Sequence, residues 1–178
     1  MNKVPQTVSS RSIYKNQYVE VKVDELSFGE NVWEQAYFMK PNKNAVGVLP
    51  VDETGLYLLN QYRYASQRWF WQIPLGMIDV GSDKTETARR ELLEEAGITA
   101  EKFTPIGSFV AEPGMSDQET FMFVAQGLTF GKKNIEINEV GMELKHFMFE
   151  EIDEYVKSGK ITCGFTLSAL LLFKNNFR

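Results

Sequence analysis

Polar and apolar residues alternate from Tyr18 to Val23, YVEVKV, the pattern of a strand with one face buried. Ser27 to Asn31, SFGEN, has turn chemistry, and Val32 to Met39 reads as the returning strand. Residues 1–10 are polar and unpatterned, so a loose terminus is expected ahead of a small antiparallel sheet. Pro41 to Asn44 breaks the pattern. Beyond it, Ala45 to Val51 and Leu56 to Tyr62 are apolar strands joined by the turn DETG, Asp52 to Gly55. Phe103 to Ala111, Thr120 to Ala125 and Glu143 to Phe149 also read as extended, and the polar, turn-rich stretch from Gly131 to Asn138 as a mobile loop. Glu151 to Lys157 is a short helix stopped by Gly159, and Phe165 to Lys174 a final helix, apolar on most sides. Strands interleaved with a few helices predict an α+β or mixed α/β class, without repeats.

The sharpest pattern is helical. Ala88, Leu92 and Ala96 recur at four-residue steps and form a stripe that docks the helix on a sheet. Asp83 followed by Glu86 is a capping box at the start, and Gly97 a left-handed stop at the end. Rotated by about 100° from the stripe, Glu91, Glu94 and Glu95 share another face. Three neighbouring carboxylates repel one another, so a helix that keeps them calls for a cation. Oxygen ligands suit a hard divalent ion, and Mg²⁺ in particular keeps positions open for water and substrate phosphate.

Composition narrows the chemistry. The chain has 178 residues and a formal net charge of -5, which argues against a broad nucleic-acid or anionic-membrane surface. One cysteine, Cys163, permits neither an internal disulfide nor a thiolate zinc site, and a reducing cytoplasm is the expected setting. The apolar run Leu167 to Phe173 is too short to span a membrane. With one histidine, His146, catalysis must lean on carboxylates, hydroxyls or metal-bound water. Arg63, ahead of the aromatic segment Trp69 to Pro74, is a fixed cation suited to phosphate or carboxylate.

Gly76 to Ile98 resembles a Nudix box, whose pattern is Gly, five residues, Glu, seven residues, then Arg-Glu-apolar-x-Glu-Glu-x-Gly-apolar. Gly76, Arg90-Glu91-Leu92 and Glu94-Glu95-Ala96-Gly97-Ile98 match; Ser82 stands where the pattern has its first Glu. Gln61-Tyr62-Arg63, Pro74-Leu75-Gly76 and the loop Pro113 to Asp117 are similar to the branch that hydrolyses ADP-ribose and nucleoside-diphosphate sugars. That resemblance implies a Nudix-type α/β/α sandwich over residues 45–178, with residues 1–44 a small N-terminal antiparallel sheet exchanged across a homodimer. It implies Glu91 and Glu95 as principal metal ligands, Glu94 as a third, and the Leu75 carbonyl as a backbone ligand for Mg²⁺, or Mn²⁺ in its place. Arg90 and Glu94 join the catalytic set, and Glu139 is the position that best fits the water-activating glutamate, with Glu136 and Glu143 as rivals. Arg63 and Glu112 would contact substrate, and Trp33, Tyr14 or Tyr18 would stack on the base.

The implied reaction is water attack on one phosphorus of a diphosphate, giving a nucleoside monophosphate and a sugar phosphate. Two other readings stand beside it: a weakened Nudix-fold module that senses a nucleotide, and a hydrolase of dinucleoside polyphosphates or RNA 5′ ends. Ser82 and Gln118, positions where that branch has a glutamate, favour the module; the intact Glu91, Glu94 and Glu95 favour the enzyme. Gln72, where the branch often has Glu, is a further lost carboxylate that would bear on substrate choice or metal binding. Glu86, four residues before Arg90, is the expected substitute for the partner that Ser82 removes.

Overall fold

A computed structural model describes residues 4–40, 44–131 and 141–177. Strands β1 (Gln6–Lys15), β2 (Glu20–Phe28) and β3 (Asn31–Met39) form a three-stranded antiparallel sheet, turning at Gly29. The loose terminus expected over residues 1–10 is therefore corrected: β1 starts at Gln6. Every residue of β1 is solvent-exposed, so the strand is held by main-chain pairing to β2 and leaves no alternating pattern in the sequence.

The body contains two further sheets. Strand β4 (Ala45–Pro50) lies between β7 (Leu75–Met77) and β9 (Glu119–Phe130), and β8 (Ile98–Val110) completes the order β7-β4-β9-β8. β4 runs parallel to β9, with Ala45 opposite Thr120, and antiparallel to β7, with Val46 opposite Gly76. The second sheet has the order β10-β5-β6, from β10 (Glu143–Met148), β5 (Gly55–Arg63) and β6 (Arg68–Gln72). Three helices complete the molecule: α1 (Lys84–Ala96), α2 (Phe149–Lys157) and α3 (Gly164–Phe177).

β4 is buried along its whole length, which explains its unbroken apolar sequence. Its alternate residues feed two cores. Val46 and Val48 join Leu59, Phe123 and Ala125 against Ala88, Leu92 and Ala96 of α1. Leu49 joins Leu58, Val124 and Phe147 against Ile152 of α2 and Ala169, Leu170 and Phe173 of α3. The α/β/α layering is thus a direct result of strands that are apolar on both faces. The N-terminal sheet meets this body at the loop after β8: Phe38 N–H donates to the Met115 carbonyl (2.9 Å), and Gln35 Nε2 to the Gly114 carbonyl (3.2 Å).

Glu136, Glu139 and most of the stretch read as a mobile loop lie outside the described residues. Among the described residues, no helix is long and apolar enough to cross a membrane.

Candidate active site

The helix that carries the carboxylates is fixed at both ends. Asp83 accepts hydrogen bonds from the N–H groups of Glu86 (3.1 Å) and Thr85 (2.8 Å), which hold its carboxyl below the usual range. At the other end Gly97, at φ +68°, turns the chain and donates to the carbonyls of Leu92 and Leu93. With Ala88, Leu92 and Ala96 sealed in the core, a neighbouring edge of α1 faces β7.

Two carboxylates of that edge are buried. Glu91 is 8% exposed and Glu95 5%. Both rest on the backbone of β7. Glu95 Oε2 accepts from the Leu75 N–H at 3.1 Å, and the Glu91 carboxyl carbon lies 1.9 Å from where a Cβ on Gly76 would stand. Glycine at position 76 is what lets the strand and the carboxylate come this close. Burying carboxylates is costly unless they are paired, hydrogen-bonded or bound to metal. Part of that compensation is Arg90, which reaches Glu91 Oε1 at 2.6 Å and Glu94 Oε2 at 2.7 Å. Partial burial would lower the pKa of Arg90, but Glu91, Glu94 and the nearby Asp79 outweigh it and raise it.

Two expectations change here. Glu86 does not substitute as the partner of Arg90: its carboxylate faces Arg89 at 3.7 Å, because i,i+3 geometry on α1 serves Arg89. Ser82 lies in an exposed turn, its N–H donating to the Asp79 carbonyl at 2.9 Å, and Arg90 is satisfied without a carboxylate at position 82. The three glutamates also do not form one cluster. Among the described residues, no group of three or more His, Cys, Asp or Glu side chains is placed to hold an ion. Arg90 draws Glu94 to the outside of the helix, while Glu91 and Glu95 stay against β7.

Glu91 and Glu95 nonetheless fit a divalent ion. They are two buried carboxylates one helical turn apart, against one stretch of backbone, and hard oxygen donors of this kind suit Mg²⁺, which commonly takes one or two protein carboxylates and completes its shell with water and phosphate.

Beside β7 opens a cavity of about 410 Å³, lined among others by Lys40, Arg63, Gln72, Gly76 and Gln118, with Thr162 to Phe165 along its far wall. It is the size of a small-ligand site. Arg63, expected to contact substrate, lines it and donates from Nε to Gln72 Oε1 at 3.0 Å. Gln72 is buried and in turn donates to Gln61 Oε1 at 2.5 Å. Lys40 donates to Gln118 Oε1 at 2.9 Å, and Gln118 Nε2 contacts Met77 Sδ at 3.1 Å. Burial lowers the pKa of Lys40 against the opposing field of Glu112. Sequence reasoning missed Lys40. It comes from the end of the N-terminal sheet and meets Gln118 from 78 residues away, so no local spacing marks it.

The other predicted contacts lie elsewhere. Trp33 is 38% exposed on β3, paired with Leu26 and outside the cavity lining, while Tyr14 is exposed on β1 and Tyr18 in the turn between β1 and β2. Glu112 stands in the loop after β8, its carbonyl accepting from the N–H groups of Met115 and Ser116. Glu143 is exposed on β10, opposite Asn60 of β5.

Comparison with known proteins places this geometry in context. The family profile described as NUDIX domain matches residues 41–160. An ADP-ribose pyrophosphatase of Bacillus subtilis (strain 168) is 30% identical over 134 residues, covering 75% of this chain and 72% of its own. A methanol dehydrogenase activator of Bacillus methanolicus is 27% identical over 171 residues, covering 92% and 89%. Among solved structures, the crystal structure of an ADP compounds hydrolase superposes with a TM-score of 0.83 at 20% identity, covering 97% of this chain and 94% of that one.

Proposed function

The chain belongs to the NUDIX domain family and is a Nudix hydrolase, and from that premise we propose that it splits ADP-ribose or a related nucleoside-diphosphate sugar into a nucleoside monophosphate and a sugar phosphate. The observation that carries this reading is the pair of buried carboxylates, Glu91 and Glu95, held against Leu75 and Gly76 beside a cavity that contains two cations. The names of relatives such as the Bacillus subtilis ADP-ribose pyrophosphatase support the substrate class.

Glu91 and Glu95 would hold Mg²⁺, with Mn²⁺ as a substitute and the Leu75 carbonyl as a further ligand. A divalent ion held there would supply Lewis-acid chemistry, lowering the pKa of water and offsetting charge on the phosphoryl oxygens. Arg90 keeps Glu91 and Glu94 in fixed rotamers, so it acts as a positioning residue for the metal-binding face. Arg63, oriented by Gln72, binds phosphate oxygens through its terminal nitrogens. Glu139 takes the proton of the attacking water, with Glu136 and Glu143 as the competing assignments. Water oxygen bonds to one phosphorus as the bond from that phosphorus to the bridging oxygen breaks; the electron pair leaves on the other phosphate. Residues 1–44 pair two subunits, bringing Trp33 or its neighbours to the base of a substrate bound by the partner.

The test is a hydrolysis panel of ADP-ribose, nucleotide sugars and diadenosine polyphosphates, with Mg²⁺, Mn²⁺ or EDTA. Turnover of ADP-ribose or a nucleotide sugar to monophosphates is expected only with metal, and Glu95→Gln should lower kcat by about a thousandfold or more, as loss of a group that fixes transition-state charge does. No turnover of any of these compounds would overturn the reading in favour of a nucleotide-binding module.

A further inference from the structure

Lys40 and Arg63 are the two cations of the cavity, and both are held by neutral amides rather than carboxylates: Lys40 by Gln118 and Arg63 by Gln72. Among the described residues, neither makes an ion pair. Glu112 acts on Lys40 only through space. Each glutamine is itself anchored, Gln72 by Gln61 and Gln118 by Met77, so the amide oxygens that orient the cations are fixed in place. The rest of the wall includes Phe70, Ile73 and Phe165, which keep the local dielectric low and the field of both cations strong.

With Arg63 assigned to the diphosphate, Lys40 remains an oriented cation with no anion to meet, which a neutral sugar does not need. Sugar hydroxyls are satisfied by amides and carbonyls, whereas half-buried ammonium and guanidinium groups gain most from an anion. Resting on the reaction proposed above, we infer that Lys40, positioned by Gln118 in the cavity that it shares with the phosphate-binding Arg63, determines specificity for an anionic group on the sugar side of the substrate, a carboxylate or an additional phosphate. The diphosphate itself is met by the metal-binding face at Glu91 and Glu95 and by Arg63. An anionic substituent on the distal sugar then falls in the cavity beside β7, whose Gly76 both lines the cavity and backs Glu91.

The experiment compares matched substrates on the full chain: UDP-glucuronate against UDP-glucose for a carboxylate, and ADP-ribose 1″-phosphate against ADP-ribose for a phosphate. In at least one pair the anionic member should have the higher kcat/KM, by about tenfold, the scale of one charge-assisted hydrogen bond. Lys40→Met should reduce that ratio at least about fivefold, and so should Gln118→Glu, which places a carboxylate on Lys40 and cancels its charge. A defect of folding alone would lower both members of a pair and leave the ratio intact. Ratios at or below one in both pairs, or ratios unmoved by Lys40→Met and Gln118→Glu, overturn the inference. Should none of the four compounds turn over, the hydrolase reading fails separately. The subsite is then decided by calorimetric titration with ribose 1,5-bisphosphate and ribose 5-phosphate: tighter binding of the bisphosphate that is lost in Lys40→Met upholds it, and equal binding overturns it.

Discussion

Position 76 has no room for a side chain beside Glu91. A methyl group at position 76 would overlap the Glu91 carboxyl, but that carboxyl is the far end of a flexible side chain and can swing away. Gly76→Ala should therefore leave the melting temperature nearly unchanged while lowering kcat by about a hundredfold, the scale of an ångström-sized displacement of a catalytic group. Thermal melts and steady-state kinetics on the same preparation check this, and full activity in the variant would show that Glu91 has no part in catalysis. A second residue with a legible charge state is Asp52, in the turn between β4 and β5. Burial would raise its pKa, yet hydrogen bonds from the Thr54 N–H and hydroxyl, the Gly55 N–H and the Tyr57 hydroxyl outweigh that and hold it well below the usual carboxylate range. A depressed folded-state pKa contributes stability that is present above the ordinary value of about 3.9 and fades as pH falls toward the folded-state value. Asp52→Asn should thus destabilise the fold more at about pH 7 than at about pH 3, as read by urea denaturation at both. An equal gap at the two pH values would mean that the carboxylate charge is not what stabilises the turn.

At the scale of elements, α1 shows why a loaded acidic face is tolerated. Its three core residues, Ala88, Leu92 and Ala96, are at most 3% exposed, so the helix is anchored by burial while its neighbouring edge keeps the carboxylates in place. Leu92→Ala should cost roughly 2–5 kcal/mol in chemical denaturation, as a leucine removed from a closed core does. A loss below about 1 kcal/mol would mean that the helix can repack without it. The helix could be read from sequence because the stripe, the cap and the terminal glycine agree. β1 could not, because an exposed edge strand carries no burial pattern. β6 was also obscured: its residues Arg68 to Gln72 include three aromatics in a row, which fit core, sheet or ligand contact equally well until the pairing with β5 is seen.

At the scale of the molecule, the N-terminal sheet stands apart in its exposure. Val8, Ile13 and Val32 are each more than half exposed, and Trp33 follows Val32 in sequence. Apolar surface of this kind is the observation behind the proposed homodimer. Light scattering should give twice the chain mass, and Ile13→Glu with Val32→Glu should halve it; a monomeric parent protein would remove the proposal. By itself the sequence determined the acidic helix, the glycine beside it and the mixed α/β class, because each rests on local periodicity, capping or a short motif. Only the tertiary structure decided how the charges are shared. It gave Arg90 to Glu91 and Glu94, left Glu86 to Arg89, and carried Lys40 to Gln118 across the chain. Ion pairing depends on rotamers and on which faces pack together, and neither is written in spacing along one strand or helix.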